Sequence, residues 1–556
     1  MLKKTPGIKS HVVPSIPAYA DGKEYIVSLN PGVDYAAFWQ EIETNGSGST
    51  YVPDRAVRII DERPGSQRSC HYVLTDAEAA LLKNDVRVAS VVVPIQHLGF
   101  KPKPAAVQTG NFNKPANDSV STGNNLNYGL VRHNSKDNVY GTAQTAPNGY
   151  THTLDGSGVD VVIMDTGIQA NHPEFQNSEG YSRVVSIDWY SEAGISGSMP
   201  SNFYTDHDGH GTHVAGIATG KTYGWAKNAA IYSMKLSDLT IDGNGINSLQ
   251  AFDLIIGWHR NKPVNPETGI KRPTIVNMSW GFSGSYYTGV DTATFITGGN
   301  YRGTPWTGSH LEADIHPEYG MGEFGTFTIR DPATDSILEE MIDAGIHVAI
   351  AAGNDGVKID LPGGPDYNNY FLFDTGSYNL PVYYNQGSSP YSTRAINVGC
   401  LDLMPYSSSL DQKADFSEGG PGVDIYACGY AIYSATSNTN TFTDEGYSDA
   451  PYYLNAVFKQ GCITGTSMAS PQVCGLSTLI LQVNPTAKPA EFKNWLTNIE
   501  LANVGVRLCY FGGNNDYTVL NSLWGGLPRV LFNKFNNNTS LTLQTVQPEP
   551  FAEMPC

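Results

Sequence analysis

Apolar and polar residues follow two different periods over the larger, C-terminal part of the chain. Short runs of β-branched and apolar residues predict buried strands, and between them apolar residues recur at helical spacing, as at Leu249, Phe252 and Ile256. The predicted strands cover residues 159–164, 230–235, 274–278, 346–351 and 396–399. Strands that alternate with helices predict an α/β fold with a doubly wound, mostly parallel sheet. Ligands of such sheets bind at the carboxyl ends of the strands.

A smaller unit with a different pattern precedes this sheet, over residues 23–97. Its strand-like and helix-like stretches follow one another in the order β-α-β-β-α-β, which is typical of a ferredoxin-like α+β fold. Thr75 and Glu78 have the spacing of a capping box, which predicts that the second helix begins directly after Thr75. The chain therefore contains a small α+β domain ahead of the α/β domain.

Changes in composition divide the chain into five predicted segments. Residues 98–123 are rich in Pro, Asn, Gly and Ser, which predicts an exposed linker and a site of proteolysis. Two stretches of the α/β domain, about 282–330 and 356–394, are rich in Gly, Tyr and Asn and predict long surface insertions rather than extra core. The segments are an N-terminal extension 1–22, the α+β domain 23–97, the linker 98–123, the α/β domain 124–503 and a C-terminal extension 504–556.

Composition and charge exclude several classes of protein. With 40% apolar and 16% charged residues, and with 58 Gly and 33 Pro among 556 residues, the chain is not disordered throughout, a coiled coil or a collagen. A net charge of −19 repels phosphate backbones, so we expect no nucleic-acid partner. No apolar run approaches the roughly 20 residues of a membrane-spanning helix. Pro14 and Pro17 interrupt the N-terminal stretch, so we expect no signal peptide, and the localisation stays open.

Three short segments contain the residue types of nucleophilic catalysis. Asp165 ends a predicted strand, His210 precedes small residues that favour a closely packed helix, and Ser467 starts a helical stretch. A serine hydroxyl becomes a good nucleophile when a neutral imidazole removes its proton, and a carboxylate fixes the tautomer of that imidazole. The free N–H groups and positive dipole end of a helix that starts at Ser467 would stabilise an oxyanion. The three residues form a candidate catalytic triad.

The motifs around these residues resemble those of the subtilisin-like serine proteases, the subtilases or peptidase family S8. Asp165-Thr-Gly, His210-Gly-Thr-His-Val-Ala-Gly and Gly465-Thr-Ser-Met-Ala-Ser-Pro occur in the order Asp, His, Ser. Ala351-Ala-Gly-Asn354 resembles the oxyanion segment of the family, which implies that the Asn354 amide and the Ser467 N–H form an oxyanion hole. Two further segments resemble those that hold substrate as an added strand. They are Gly243, Asn244 and Gly245, and Ser279, Trp280 and Gly281.

The resemblance covers roughly residues 23–503 and implies a serine endopeptidase that cleaves protein or peptide substrates through an acyl-enzyme intermediate. The α+β domain resembles the inhibitory propeptide of the family, and NYGLVRHN after the linker resembles the start of the mature enzyme. This implies that the enzyme processes its own linker between about Gly99 and Asn124. The chemistry requires no cofactor. The family often clamps loops with calcium, but the sequence assigns no calcium ligands.

Two positions depart from the pattern of the family. Gln472 stands where many relatives carry a histidine that is not a triad member, so we expect catalysis to survive. Trp280 is bulkier than the residue usual in its segment, which leaves the substrate preference open.

Metal binding is a weaker interpretation of the histidines and acidic residues. His207, His210 and His213 recur every three residues, but side chains at this spacing do not stay on one face of a helix. The chain also has no HExxH motif. We expect His213 to pack in the core and His207 to lie in a loop. The segment that starts at Asp242 resembles the first positions of a calcium-binding loop, but the later ligands of such a loop are missing. This segment is therefore interpreted as a turn.

A rival hypothesis is a structural or binding protein that keeps the fold for display within a larger assembly. Its long Tyr- and Gly-rich loops would then form the contact surface. The intact catalytic set argues against this interpretation, although a protease bound to an assembly would satisfy both. The seven cysteines include no CxxC pair, and Cys462 and Cys474 are expected to be packed thiols, while the redox state stays open.

Overall fold

The computed structural model describes the two predicted domains and leaves most of the three other segments undescribed. The linker, apart from residues 102–104, and most of both extensions lie outside the described residues, so the domain boundaries stay predictions. The described residues are 17–43, 51–52, 55–61, 65–94, 97, 102–104, 127–134, 152–240, 242–266, 268–285, 296–308, 318–321, 326–374, 379–402, 411–441, 448–497 and 522–533.

The N-terminal unit is an antiparallel sheet covered on one face by two helices. Its elements are β1 Ala18–Tyr19, β2 Gly22–Leu29, α1 Tyr35–Glu43, β3 Arg58–Asp61, β4 Ser69–Leu74, α2 Asp76–Lys83 and β5 Val88–Val92. The strands lie in the order β5-β2-β4-β3, with β1 also paired to β2, which confirms the predicted small α+β fold. The capping box is present, since Thr75 Oγ1 accepts from Glu78 N at 3.2 Å and Thr75 N donates to Glu78 Oε2 at 2.7 Å.

The larger unit contains the remaining strands and helices, numbered here in chain order. The strands are β6 Pro102–Pro104, β7 Asp160–Asp165, β8 Val184–Val185, β9 Ala230–Lys235, β10 Thr274–Met278, β11 Trp280–Ser285, β12 Ile296–Tyr301, β13 Thr304–Thr307, β14 Thr326–Thr328, β15 His347–Ala351, β16 Tyr370–Asp374, β17 Asn379–Val382, β18 Ile396–Leu401, β19 Ile425–Cys428, β20 Ile432–Thr436, β21 Ser448–Tyr452 and β22 Asn455–Ile463. The helices are α3 Tyr128–Arg132, α4 Trp189–Ala193, α5 His210–Thr219, α6 Ser248–Asn261, α7 Pro332–Asp343, α8 Thr466–Val483 and α9 Pro489–Thr497.

The central sheet of this unit is parallel and has helices on both faces. Its described strands lie in the order β19-β18-β15-β10-β7-β9-β8 and include every strand predicted from the sequence. Along β7, Val161 and Ile163 pack in a core with α5 and α8, whereas Val162 and Met164 pack in a second core with α4, α6 and α7. Strands buried on both faces explain the continuous apolar runs, and the doubly wound α/β prediction is confirmed.

The N-terminal sheet packs against the larger unit through the face that its own helices leave open. Tyr25, Val27 and Leu29 point into the core beneath α1 and α2, whereas Ile26 is fully buried among side chains of α6 and α7. Because side chains alternate along a strand, one strand supplies both the core of the N-terminal unit and its contact with the larger unit.

The two insertions combine into one antiparallel sheet, in the order β13-β12-β16-β17. The expectation that they are surface insertions rather than extra core is wrong for their inward-facing residues. Ile296, Phe371 and Val382 are buried in the same core as α6 and α7. Each hairpin covers one strand edge of the other through the pairing of β12 with β16, and local composition does not reveal that pairing.

Part of the predicted C-terminal extension belongs to the main core. Leu523, Val530 and Leu531 are buried, and Leu531 N donates to Tyr426 O of β19 at 2.9 Å. Among the described residues, no helix combines the length and the apolar character needed to cross a bilayer.

Candidate active site

The carboxyl end of β7 and the first residue of α5 bring Asp165 and His210 into contact. His210 Nδ1 donates to Asp165 Oδ1 at 2.8 Å, and both side chains are buried. The same Asp165 oxygen accepts from Thr166 N at 2.8 Å. A strand end and a helix start hold the carboxylate against the imidazole, as the order of elements predicts.

The surroundings of His210 favour its charged form. Burial acts to lower the pKa of His210, but the charge and hydrogen bond of Asp165, together with the charges of Asp208 and Asp206, raise it above the ordinary value. His210 Nε2 is buried and has no hydrogen-bond partner among the described residues. The nitrogen opposite Asp165 is therefore available to accept a proton.

Ser467 lies in the first turn of α8, directly behind Gly465 and Thr466. Its hydroxyl donates to Ser279 O at 2.9 Å, and Ser279 Oγ donates to Ser467 O at 2.8 Å. The hydroxyl therefore does not donate to His210 in this structure. In serine hydrolases the nucleophile and the base are often unpaired before substrate binds. Rotation about the Cα–Cβ bond of Ser467 would turn its hydroxyl from Ser279 O toward another acceptor.

Asn354 follows β15 and contacts the residue before Ser467. Its Oδ1 accepts from Thr466 N and from Thr466 Oγ1, both at 2.9 Å. Its Nδ2 is buried with no partner among the described residues. A buried amide donor without an acceptor costs free energy. Asn354 Nδ2 is therefore suited to donate a hydrogen bond to an oxygen atom of a ligand.

The two segments predicted to bind substrate have different partners in the structure. Asn244 N donates to Asp242 Oδ1 at 3.1 Å, and Gly243 has a φ of +63°, so this segment is a tight turn. Asp242 Oδ2 also pairs with Lys235 Nζ at 3.1 Å. Gly245 lies against the backbone of residues 236–237, where a Cβ would collide. This geometry supports the interpretation of Asp242 as a turn residue.

The other segment carries an added strand. β6 pairs antiparallel with β11, with Trp280 opposite Pro104, Gly281 opposite Lys103 and Phe282 opposite Pro102. Residues 102–104 of the predicted linker therefore form an edge strand. Prolines at alternate positions still allow an edge strand, because only every second N–H of such a strand faces its neighbour.

Trp280 points into the core. It is 1% exposed and makes edge contacts with Phe252 and Phe282 at centroid distances of 6.5 and 6.0 Å. Its bulk therefore supports β11 from beneath.

Asp206 is a residue of this site that sequence reasoning missed. It is 1% exposed, and its Oδ1 accepts from Gly209 N at 2.8 Å and from Thr166 Oγ1 at 3.0 Å. Its Oδ2 accepts from Thr212 N at 2.9 Å and from Thr212 Oγ1 at 2.6 Å. Asp206 thus ties the residue after Asp165 to the turn that carries His210. The available signal was an aspartate four residues before His210.

The neighbouring histidines and Gln472 have structural partners. Burial lowers the pKa of His213 to about 3, and its Nε2 donates to Ile432 O at 3.0 Å, which confirms a packed core residue. His207 Nε2 lies 3.4 Å from Asp242 Oδ2. Gln472 Oε1 accepts from Asn127 Nδ2 at 2.9 Å and from Trp225 Nε1 at 2.7 Å. It joins α8 to the start of α3.

The structure also places the candidate metal ligands and the two cysteines near Ser467 in sequence. Within the part of the chain that the structure describes, no group of three or more His, Cys, Asp or Glu side chains is arranged to hold a metal ion. Cys462 and Cys474 are both buried, and burial raises the pKa of the Cys474 thiol well above its usual range.

A comparison with family models decides the family. The model of the subtilase family matches residues 156–515, which contain Asp165, His210, Asn354 and Ser467. The chain belongs to the subtilase family. This subtilase is 26% identical over 361 residues to an extracellular serine proteinase of Thermus sp., covering 64% of this chain and 58% of the relative. It is 27% identical over 377 residues to a subtilisin-like serine protease of Cochliobolus lunatus, covering 67% and 53%.

Other relatives extend further along the chain. Subtilisin-like protease 2 of Pseudogymnoascus destructans is 25% identical over 486 residues, which cover 87% of this chain and 84% of that protein. Fervidolysin from Fervidobacterium pennivorans, a keratinolytic enzyme related to subtilisin, matches 97% of this chain and 65% of its own, at 16% identity and a TM-score of 0.48. A cold adapted subtilisin-like serine proteinase matches 73% and 97%, at 21% identity and a TM-score of 0.42. The chain spans little more than half of the length of the Thermus and Cochliobolus relatives.

Proposed function

We propose that this subtilase is a serine endopeptidase with Asp165, His210 and Ser467 as its catalytic triad. The observation that carries the proposal is the 2.8 Å hydrogen bond from His210 Nδ1 to Asp165 Oδ1, with His210 Nε2 left without a partner among the described residues. Asp165 fixes the tautomer in which Nε2 carries the lone pair, and this nitrogen then accepts the proton of Ser467.

The proposed reaction uses groups of the chain and no cofactor. The Ser467 hydroxyl leaves Ser279 O, gives its proton to His210 Nε2, and attacks the carbonyl carbon of a peptide bond. Asn354 Nδ2 and the Ser467 N–H donate to the oxyanion. His210 then protonates the leaving amine, and water hydrolyses the acyl-enzyme by the same path in reverse.

We further propose that the N-terminal unit is an inhibitor in cis and that the enzyme cleaves its own linker. Support comes from β6, which pairs antiparallel with β11 in the way that a substrate strand would. The second support is the burial of Ile26 in the core that contains α6 and α7, with β2 in contact with α7, which fixes the N-terminal unit against the larger one. Protein and peptide chains are the proposed substrates.

A serine-directed fluorophosphonate probe tests the proposal, with casein hydrolysis as the second readout. We expect labelling and hydrolysis by the wild-type chain, after trypsin cleavage of the linker if the chain does not cleave itself, and neither with Ser467→Ala. Ser470→Ala is the matched control. Ser470 lies on the same helix as Ser467, and its hydroxyl donates to Asn277 Oδ1 at 2.9 Å. No labelling of a folded wild-type chain, even after trypsin, would favour the display hypothesis.

A further inference from the structure

Asn354, which supplies the amide of the proposed oxyanion hole, lies just beyond the end of β15 at Ala351. The structure describes no strand pairing for its backbone. A peptide group is planar, so the orientation of the two peptide groups beside a Cα atom fixes where the side chain starts. The contacts of these two groups, one on each side of Asn354, therefore determine where its amide can reach.

Glu418 binds both of these peptide groups. Its N–H donates to Gly353 O at 3.2 Å on one side of Asn354, and its Oε1 accepts from Asp355 N at 3.2 Å on the other. Its Oε2 accepts from Val357 N at 2.5 Å. Because a hydrogen bond engages each oxygen, the planar carboxylate is held against rotation. One residue thus fixes the backbone on both sides of Asn354.

The side chain of Glu418 reaches these groups through the space that Gly353 leaves open. Gly353 has a φ of +121°, and a Cβ on it would lie 2.9 Å from both Cγ and Oε1 of Glu418. A side chain at residue 353 would therefore strain the backbone and displace the carboxylate. Glu418 itself is fully buried, so water does not compete for its hydrogen bonds.

The charge of Glu418 makes its burial informative. Burial and the charge of Asp355 raise the pKa of Glu418, whereas the N–H groups of Val357 and Asp355 and the charge of Lys413 act to lower it. A buried carboxylate costs free energy unless donors surround it, and an apolar side chain could fill the same space without that cost. What only an acceptor can do here is bind the N–H groups of the segment that carries Asn354.

We infer that Glu418 is a positioning residue of the oxyanion hole, which fixes the backbone of Asn354 before substrate binds. The inference rests on the proposed peptidase activity and deepens it by one residue. A donor that is already in place needs no reorganisation as negative charge develops, and a small displacement of such a donor slows the reaction steeply. Glu418 acts through Asn354, whose amide meets the oxyanion only after substrate has bound, so its loss lowers kcat and leaves KM nearly unchanged.

Glu418→Gln tests the inference with little change of shape. The amide oxygen of glutamine can accept from one N–H, but its NH₂ group then faces the other N–H, so one of the two hydrogen bonds is lost. We expect kcat to fall about tenfold and KM to stay within about twofold, because a hydrogen bond to a charged group contributes more than one between neutral groups. The substrate is a quenched fluorescent peptide, chosen from a random library for its cleavage by the purified wild-type enzyme.

A double-mutant cycle with Asn354→Ala identifies the residue through which Glu418 acts. Asn354→Ala removes the amide, so a residue that only positions this amide then has nothing to position. We expect the double variant Glu418→Gln/Asn354→Ala to match the kcat of Asn354→Ala within about twofold. A further tenfold loss in the double variant would assign a general structural role to Glu418 and overturn the inference.

Glu174→Gln is the matched control for the loss of a buried acceptor. Glu174 is also fully buried, and its Oε2 accepts from Thr222 N at 2.7 Å and from Tyr223 N at 3.2 Å. None of its described hydrogen bonds involves residues 351–357. We expect its kcat to stay within about twofold of the wild type, even where thermal unfolding shows that both variants are less stable. An equal loss of kcat in both variants would contradict the inference.

The outcomes separate this inference from the proposed function. If Glu418→Gln keeps the kcat of the wild type while the wild-type chain still reacts with the fluorophosphonate probe, the inference fails and the proposed function stands. A folded wild-type chain that neither reacts with the probe nor cleaves casein, even after trypsin, would remove the proposed function and the inference with it.

Discussion

Ser279 and Ser467 are joined by two reciprocal hydrogen bonds between the hydroxyl of each and the carbonyl of the other, at 2.9 and 2.8 Å. Ser279 Oγ also accepts from Asn277 Nδ2 at 2.9 Å, at the carboxyl edge of β10. The first turn of α8 is therefore held at the end of the central sheet by a short chain of polar side chains. Because the Ser279 carbonyl belongs to the segment proposed to bind substrate, this contact couples the proposed nucleophile to that segment.

Ser279→Ala should lower kcat about fivefold with a smaller effect on KM. The substitution keeps the Ser279 carbonyl and removes the hydroxyl that fixes Ser467, and one buried hydrogen bond contributes about 1 kcal/mol. Steady-state kinetics on a quenched fluorescent peptide measure the effect. Ser470→Ala is the control, since it loses a hydrogen bond to the same Asn277 without touching Ser467. An unchanged kcat for Ser279→Ala would show that helix packing alone positions the nucleophile.

Asp206→Asn should lower kcat at least tenfold and shift the acid limb of the pH–rate profile to lower pH. Burial raises the pKa of Asp206, but all described hydrogen bonds to its carboxylate come from donors, and these bonds favour the ionised form. Its charge raises the pKa of His210, which must be neutral to act as a base. Activity falls as pH drops through the pKa of His210, so removal of the charge moves this fall to lower pH.

The pH profile separates this role from a general loss of stability. A merely structural role would reduce the amount of active enzyme, counted with the fluorophosphonate probe, and leave the midpoint of the acid limb unchanged. Thr212→Val is a suitable control, because it removes one neutral hydrogen bond to Asp206 and no charge. A midpoint that moves equally in both variants would contradict the electrostatic part of the prediction.

Asn354→Asp should reduce kcat by at least about 10²–10³, the loss measured when one oxyanion donor of subtilisin is removed. The aspartate retains an acceptor for Thr466 N and Thr466 Oγ1, so the link to α8 is kept, while the Nδ2 donor is lost and a negative charge is placed beside the oxyanion. KM should change little, because the oxyanion forms after substrate binding. Single-turnover kinetics check the result, and full activity of Asn354→Asp would exclude this amide from the oxyanion hole.

Arg260→Met should weaken inhibition by the N-terminal unit about tenfold. Arg260 donates to Gly65 O and, at 3.1 Å, to Glu340 Oε1, and Ser66 Oγ donates to the other Glu340 oxygen at 2.8 Å. Burial raises the pKa of Glu340, while Arg260 acts to lower it, so loss of the guanidinium leaves a buried carboxylate poorly paired.

The onset of peptide hydrolysis after self-cleavage measures this inhibition. It should come earlier in Arg260→Met than in the wild type. Arg272→Met is the matched control, since Arg272 pairs with the buried carboxylate of Asp160 at 2.8 Å and neither residue has a described hydrogen bond or ion pair to the N-terminal unit. Equal onset in both variants would show that apolar packing at Ile26 dominates the interface.

Local pattern predicted the elements that carry the site, because each depends on neighbours in sequence. The capping box of Thr75 and Glu78 and the strand that ends at Asp165 are of this kind. The role of Asp206 was not predictable, because an aspartate near a helix start has many ordinary uses. The pairing of β6 with β11 and the orientation of the Ser467 hydroxyl depend on contacts between residues far apart in the chain, which no local pattern encodes.

The sheet formed by both insertions has a consequence for synthesis of the chain. A ribosome delivers β12 and β13 before α7, β15 and β16 exist, so the first hairpin leaves the exit tunnel with one edge uncovered. An uncovered edge invites association with other nascent chains until β16 arrives. Loss of either insertion in evolution would leave the other in that state permanently, so the two are expected to be inherited together.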